Sequence, residues 1–306
     1  MPLDQIRLDF EPGALALINW MLALIVFGVA LELRPADFGR VLRRPRAALI
    51  GLSCQFRWMP AVATGLLWLL APPPSVALGI LLVAACPGGN VSNFLSSYAR
   101  GDAALSVSMS AVSTLAAIVM TPFNFGFWAG VLPATRELLT QIALAPQDMV
   151  LSVLTILVLP TFAGMALARL QPTLAARLRR PMQALSLLVL FAFIAAAAGR
   201  NVEHLPAFLR QAFGIVLLVN ACALLLGYSL ARATGLGVAQ ARAVSFETGI
   251  QNSGFGLVLV FNFFAGLGGM AIVVAWWGVW HLVSGLLLAR YWRGRSPQPL
   301  PDSRYS

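Results

Sequence analysis

The chain has 306 residues, of which 59% are hydrophobic and only 10% charged, against about a quarter charged in an average soluble domain. Too few charges exist to cover a water-facing surface, so a soluble globular class is excluded and a polytopic membrane protein remains. The net charge of +10 comes from 21 basic residues, all arginine, against 11 acids; they lie in short segments between apolar runs, which points to orientation in a bilayer and not to nucleic acid.

A bilayer-crossing helix takes about 20 mostly apolar residues. Nine stretches qualify, at roughly 14–33, 47–71, 75–98, 103–131, 149–170, 182–199, 207–231, 236–264 and 267–290. The first is preceded by Asp4, Asp9 and Glu11 against Arg7, and LRPADFGRVLRRPR follows it with no small-residue cleavage pattern. It therefore reads as a retained span and not a signal peptide. Arginines alternate sharply between loops. Arg34, Arg40, Arg43, Arg44, Arg46, Arg100, Arg169, Arg177, Arg179, Arg180, Arg232, Arg242, Arg290, Arg293, Arg295 and Arg304 fall on one side, and Arg7, Arg136, Arg200 and Arg210 on the other. The positive-inside rule then predicts the N-terminus outside and the C-terminus in the cytoplasm. Arg57 is the exception, inside the second span. Cys54, Cys86 and Cys222 all lie in apolar runs, which suits thiol packing and no disulfide framework.

Two spans are interrupted. The third contains ACPGGNVSN, residues 85–93, where Pro87 removes a helix hydrogen bond and Gly88 and Gly89 let the backbone unwind. The eighth contains ETGIQNSGFG, residues 247–256. Each carries adjacent Ser and Asn, as Ser92–Asn93 and as Asn252–Ser253. Paired interruptions in two halves point to an inverted-repeat transporter, because freed backbone survives in lipid only where it lines a cavity or is buried in protein. A pair of ordinary kinks is the other reading, since Gly and Pro are common in membrane helices.

Glu247 sits in the second interruption, and no charged residue follows it before Arg290. A carboxylate at the bilayer centre costs roughly 2.5–3.5 kcal/mol or more and usually has a function. Alternatively it lies at the bilayer edge, with Arg242 about 7.5 Å back along the helix and snorkelling outward. Gln251, Asn252 and Ser253 follow at once and offer the oxygens that hard cations prefer. An unwound turn adds main-chain carbonyls, and a half-helix C-terminus adds negative partial charge. One sodium ion would neutralise the carboxylate. A second would leave a positive site that attracts an anion, so charge arithmetic alone couples ion to substrate.

The segments CPGGNVSNFLSSYARGDAALSVSMSAVSTLAAIVMTP, GVALELRPADF, CQFRWMP, ETGIQNSG and VWHLVSGLLLA together resemble the bile acid:sodium symporter family, in its bacterial form. The resemblance runs from about Leu15 to Tyr291. It implies an all-α polytopic fold of two inverted repeats, with two discontinuous helices that cross. A panel domain would take spans at about 14–33 and 149–199, a core domain those at about 47–131 and 207–290, and 291–306 would be a cytoplasmic tail. With nine spans, the extra N-terminal helix of characterised bacterial members would be missing. The expected function is sodium-coupled symport of a small organic anion, a carboxylate or sulfonate, by alternating access in the inner (plasma) membrane. It needs no cofactor besides coupling ions and no enzymatic step.

By motif, the resemblance implies one sodium site at Ser92, Asn93, Ser106, Ser110 and Glu247. A second would use Gln55, Glu247 and Gln251 with main-chain oxygens of Thr248 and Ile250. Substrate would bind near Asn90, Asn252 and His281. Ser110 stands where Thr is commoner, Asn90 where many members have Thr, and Leu282 where Asn is frequent after the histidine. Arg57 replaces a small apolar residue. It fits an anionic substrate, or else snorkels or pairs with an acid such as Glu32. The i, i+4 spacing of Ser106 and Ser110 suits a small-residue helix contact equally well. His281 also reads as a packing residue beside Trp276, Trp277 and Trp280, which are expected to mark the headgroup interface. Proton coupling through Glu247, an arsenite-type cargo with Cys86, and an intramembrane hydrolase using Ser253 and His281 are the competing classes. The hydrolase lacks a Gly-x-Ser-Gly form, and Asp102 lacks a partner Asp.

Overall fold

The computed structural model describes residues 45–142, 158–200 and 210–295, with short pieces between 20 and 41 and residue 206. Most of the first expected span, and the beginning of the fifth, lie outside the described residues. Every regular element among the described residues is helical. Ala103–Val131, Phe213–Ala233 and Gly268–Arg293 are long and apolar enough, by length and composition, to cross a membrane.

Helix α1 (Pro45–Ser53) runs through a π-helical turn at Cys54–Trp58 into α2 (Met59–Leu70). Proline opens the next segment, α3 (Pro74–Ala85), where a missing N–H costs nothing. The chain then breaks and restarts as α4 (Val91–Tyr98). Asp102 caps α5 (Ala103–Val131), accepting from the Leu105 amide at 2.9 Å, so the aspartate of the ARGD segment has a structural role. Helix α6 (Pro133–Ile142) is an element the apolar pattern did not predict. Helices α7 (Leu159–Leu170) and α8 (Pro172–Arg200) follow. Then come α9 (Phe213–Ala233), α10 (Val238–Gly249), a second break, α11 (Ser253–Phe263) and α12 (Gly268–Arg293).

The two interrupted helices sit at the centre. Every residue of α3 from Ser75 to Ala85 is buried, and so is every residue of α11 from Ser253 to Phe261. Their sequences are apolar on all faces, as a helix enclosed by other helices must be. Small residues set the spacing around them. A Cβ at Gly79 would stand 2.9 Å from the Val273 side chain of α12, and one at Gly256 would stand 3.0 Å from Val274. Close backbone approach of this kind replaces hydrophobic burial as the packing force between helices in lipid. Phe125 of α5 meets Phe264 edge-on at 5.3 Å, closing one end. Helix α9 lies equally close to α10, where a Cβ at Gly227 would be 2.8 Å from the Val244 carbonyl and from the Ser245 Cα.

The described part of the first span packs on α7 and α8. Gly164 sits against Ala30, and Arg179 Nε donates to the Leu31 carbonyl at 3.2 Å. Of the tryptophans expected at a headgroup interface, Trp277 is fully buried in the core. Its neighbours Trp276 and Trp280 are half-buried and stack at 6.3 Å.

Candidate functional site

The two breaks meet. The Gly89 amide donates to the Ile250 carbonyl at 2.7 Å, and the Asn252 amide donates to the Pro87 carbonyl at 2.9 Å. Gly88 and Gln251 form an isolated antiparallel bridge. Backbone groups released where the helices stop are thus satisfied by each other, as burial away from water requires.

Glu247 lies on the last turn of α10, beside this crossing, and is fully buried. Its carboxylate accepts from Ser92 at 2.7 Å, from Ser110 at 2.9 and 3.0 Å, and from Ser113 at 3.4 Å. Gly88 makes the space: a Cβ there would collide with the carboxylate. Asn93 Oδ1 accepts from Ser106 at 2.9 Å and from Ser110 at 3.1 Å, and Ser96 donates to Ser106 at 3.2 Å. Ser110 therefore faces four side-chain oxygens, two of Glu247, one of Asn93 and, at 3.5 Å, that of Ser92, with a single hydroxyl proton to share. The cluster is short of protons and rich in oxygen. Among the described residues no three His, Cys, Asp or Glu side chains come together, and Glu247 is the only acid among those that are buried. That composition fits a hard monovalent cation better than a transition metal.

The glutamines flank the same crossing. Gln55, in the π-helical turn, donates from Nε2 to the Cys86 carbonyl at 3.3 Å. Gln251 donates from Nε2 to the Thr248 carbonyl at 2.8 Å. Both side chains are buried, and both Oε1 atoms lack a partner. Such orphaned acceptors cost free energy unless something positive meets them. The Thr248 and Ile250 carbonyls already accept one hydrogen bond each and keep a second lone pair.

The structure therefore gathers Ser92, Asn93, Ser106, Ser110 and Glu247 into one network, and brings Gln55, Gln251, Thr248 and Ile250 to the same crossing. Asn90 and Asn252 are half-buried at the two breaks. Asn252 Oδ1 caps α11 by accepting from the Phe255 amide at 3.0 Å, which leaves its amide group for other partners. His281 is buried, with Nδ1 unpartnered, on the side of α12 that presses Gly285 against Leu95 and Ile250. Arg57 is not brought to the cluster. It is exposed, with its guanidinium 5.5 Å from the Trp58 ring centre. Glu247 is also not an edge residue balanced by Arg242, whose guanidinium donates to the Ala99 and Arg295 carbonyls at 2.7 and 2.8 Å.

Sequence reasoning missed three contributors. Ser113 continues the 106, 110, 113 stripe on one face of α5, a signal that helical periodicity carries. Gly88 is a space-maker. Asn220 of α9 donates to the Gly249 carbonyl at 2.8 Å and accepts from Ser284 at 2.6 Å, holding the end of α10 from behind.

Residues 19–207, well over half of the chain, match the family described as the Sodium Bile acid symporter family. The chain is 33% identical over 289 residues to the uncharacterized sodium-dependent transporter YocS of Bacillus subtilis (strain 168), covering 94% of this chain and 87% of that protein. It is 32% identical over 288 residues to the probable sodium/metabolite cotransporter BASS1, chloroplastic, of Arabidopsis thaliana, covering 93% and 69%. It is 29% identical over 233 residues to the ileal sodium/bile acid cotransporter of Homo sapiens, covering 76% and 65%. The chain is a multi-pass membrane transporter, not an enzyme, and belongs to the sodium bile acid symporter family.

Proposed function

We propose that this protein is a sodium-coupled symporter that moves a small organic anion, a carboxylate or sulfonate, by alternating access. The observation that carries the reading is the buried carboxylate of Glu247, the only buried acid among the described residues, in a proton-poor oxygen cluster at the crossing of two broken helices. One sodium ion takes Ser92, Asn93, Ser106, Ser110 and Glu247. A second takes Gln55, Glu247, Gln251 and the Thr248 and Ile250 carbonyls, meeting the two orphaned Oε1 atoms. Two cations on one carboxylate leave a net positive charge, so the anion binds well only after the ions. Asn90, Asn252 and His281 are its nearest polar partners in this reading. The names of the curated relatives, as sodium-dependent transporters and sodium cotransporters, support the choice of ion.

In the same reading the segments 47–131 and 207–290 form a core that moves against a panel made from 14–33 and 149–199. The two long–broken–long successions, α1–α2 to α5 and α9 to α12, support a pair of inverted repeats. The arginine-rich loops face the cytoplasm, with the N-terminus outside.

The test is uptake of a panel of organic acids into proteoliposomes, with an imposed sodium or pH gradient. Wild type is expected to concentrate an acid only with sodium, and Glu247→Ala to lose that dependence while still inserting. Undiminished sodium-driven uptake by Glu247→Ala overturns the ion assignment. Uptake that ignores sodium and follows the pH gradient makes the coupling ion a proton.

A further inference from the structure

A second site lies at the other end of α10. A cavity of about 520 Å³ opens where α9 ends, α10 begins and α12 ends. Its inner wall is Arg242, only 3% exposed. Two of its nitrogens are held by the Ala99 and Arg295 carbonyls, and its Nε has no partner. The Trp292 ring lies under the guanidinium at 5.7 Å. Its other guanidinium is that of exposed Arg295, which stacks on Tyr291 at 4.1 Å. No acid is among the residues that line it. A buried guanidinium held by two neutral carbonyls and an aromatic face, with no counter-charge, is a costly arrangement that an outside anion would complete.

The remaining walls identify the anion's carrier. Leu224 and Leu225 line the cavity, and Leu225 is 66% exposed on the outer face of α9. Tyr291 is also exposed, so the polar pocket runs directly into an apolar, outward-facing strip. Two arginines with Tyr and Trp above an aliphatic wall, at the arginine-rich end of a membrane helix bundle, match the two-part chemistry of a phospholipid. A guanidinium fork suits phosphate oxygens. We propose that this cavity binds an anionic phospholipid, with its phosphate between Arg242 and Arg295 and an acyl chain along Leu224 and Leu225. Arg242 shares α10 with Glu247, so the lipid grips the helix that carries the coupling carboxylate.

The test is thermal unfolding of the purified full-length chain in zwitterionic detergent, titrated separately with phosphatidylglycerol, phosphatidylcholine and inorganic phosphate. Phosphatidylglycerol is expected to raise Tm saturably, and the other two are not. Arg242→Gln also strips two carbonyls of their donor, so Arg295→Gln and Leu225→Asp are the deciding variants. Arg295→Gln is expected to weaken the phosphatidylglycerol effect about fivefold, and Leu225→Asp to remove its selectivity over free phosphate. Equal stabilisation by phosphatidylcholine, full stabilisation by inorganic phosphate alone, or an unchanged titration in Arg295→Gln overturns the proposal.

Discussion

The two helix breaks solve the same problem with different chemistry. The first, between α3 and α4, is made by Pro87, Gly88 and Gly89, and its contribution is backbone and empty space. The second has no proline. Helix α10 stays regular through Glu247 to Gly249, Ile250 turns extended at φ −103° and ψ 97°, and the Asn252 side chain restarts α11. One break makes room and the other fills it with a charge. Glycine at position 88 is required for its missing Cβ, since it is not among the glycines at positive φ.

That division of labour can be broken from the first side. Gly88→Ala places a methyl group on the Glu247 carboxylate. Sodium-driven uptake is expected to vanish in proteoliposomes, with thermal stability reduced by about 1–3 kcal/mol from overpacking. Normal uptake would mean that the carboxylate need not lie at the crossing.

A cut at the rear of the second break has a smaller effect. Asn220→Ala leaves the Gly249 carbonyl without its side-chain donor and the Ser284 hydroxyl with only the His281 carbonyl, at 3.3 Å. A stability loss of about 1–3 kcal/mol is expected, measured by denaturation in detergent, with sodium dependence retained. The smallest effect belongs to Ser113→Ala, which removes the longest contact to Glu247, at 3.4 Å. Sodium binding, followed by calorimetry, is expected to weaken about 2–12-fold, the equivalent of one modest hydrogen bond. A loss as deep as that in Gly88→Ala would make Ser113 a ligand of equal rank and sharpen the picture differently.

Much of this was legible in the chain. Apolar runs marked α3, α5, α9, α11 and α12, because lipid demands long apolar stretches, and Pro87, Gly88 and Gly89 marked the first break. Glu247 stood out as a carboxylate in an apolar span, with no charge after it before Arg290. Helix α6 escaped notice because Arg136, Glu137 and Thr140 make it look like a loop. The π-helical turn that carries Gln55 inward has no composition signal, since one extra residue in a helix leaves the apolar run intact. Asn220 and Ser284 are 64 positions apart, and their pairing belongs to the packed bundle alone. Arg57 drew attention as an intramembrane charge, and its guanidinium lies over the Trp58 ring, away from the Glu247 cluster.

The backbone bonds between the breaks bear on how the protein is made. During synthesis, Pro87 to Gly89 enter the membrane about 160 residues ahead of Ile250 and Asn252. At roughly 5–20 residues per second, that is a wait of about 8–32 s. Through that interval the Gly89 amide and the Pro87 carbonyl lack their final partners in a solvent that offers none. Nascent chains halted before residue 250 therefore hold their third span in a provisional state, shielded by the insertion machinery or by water.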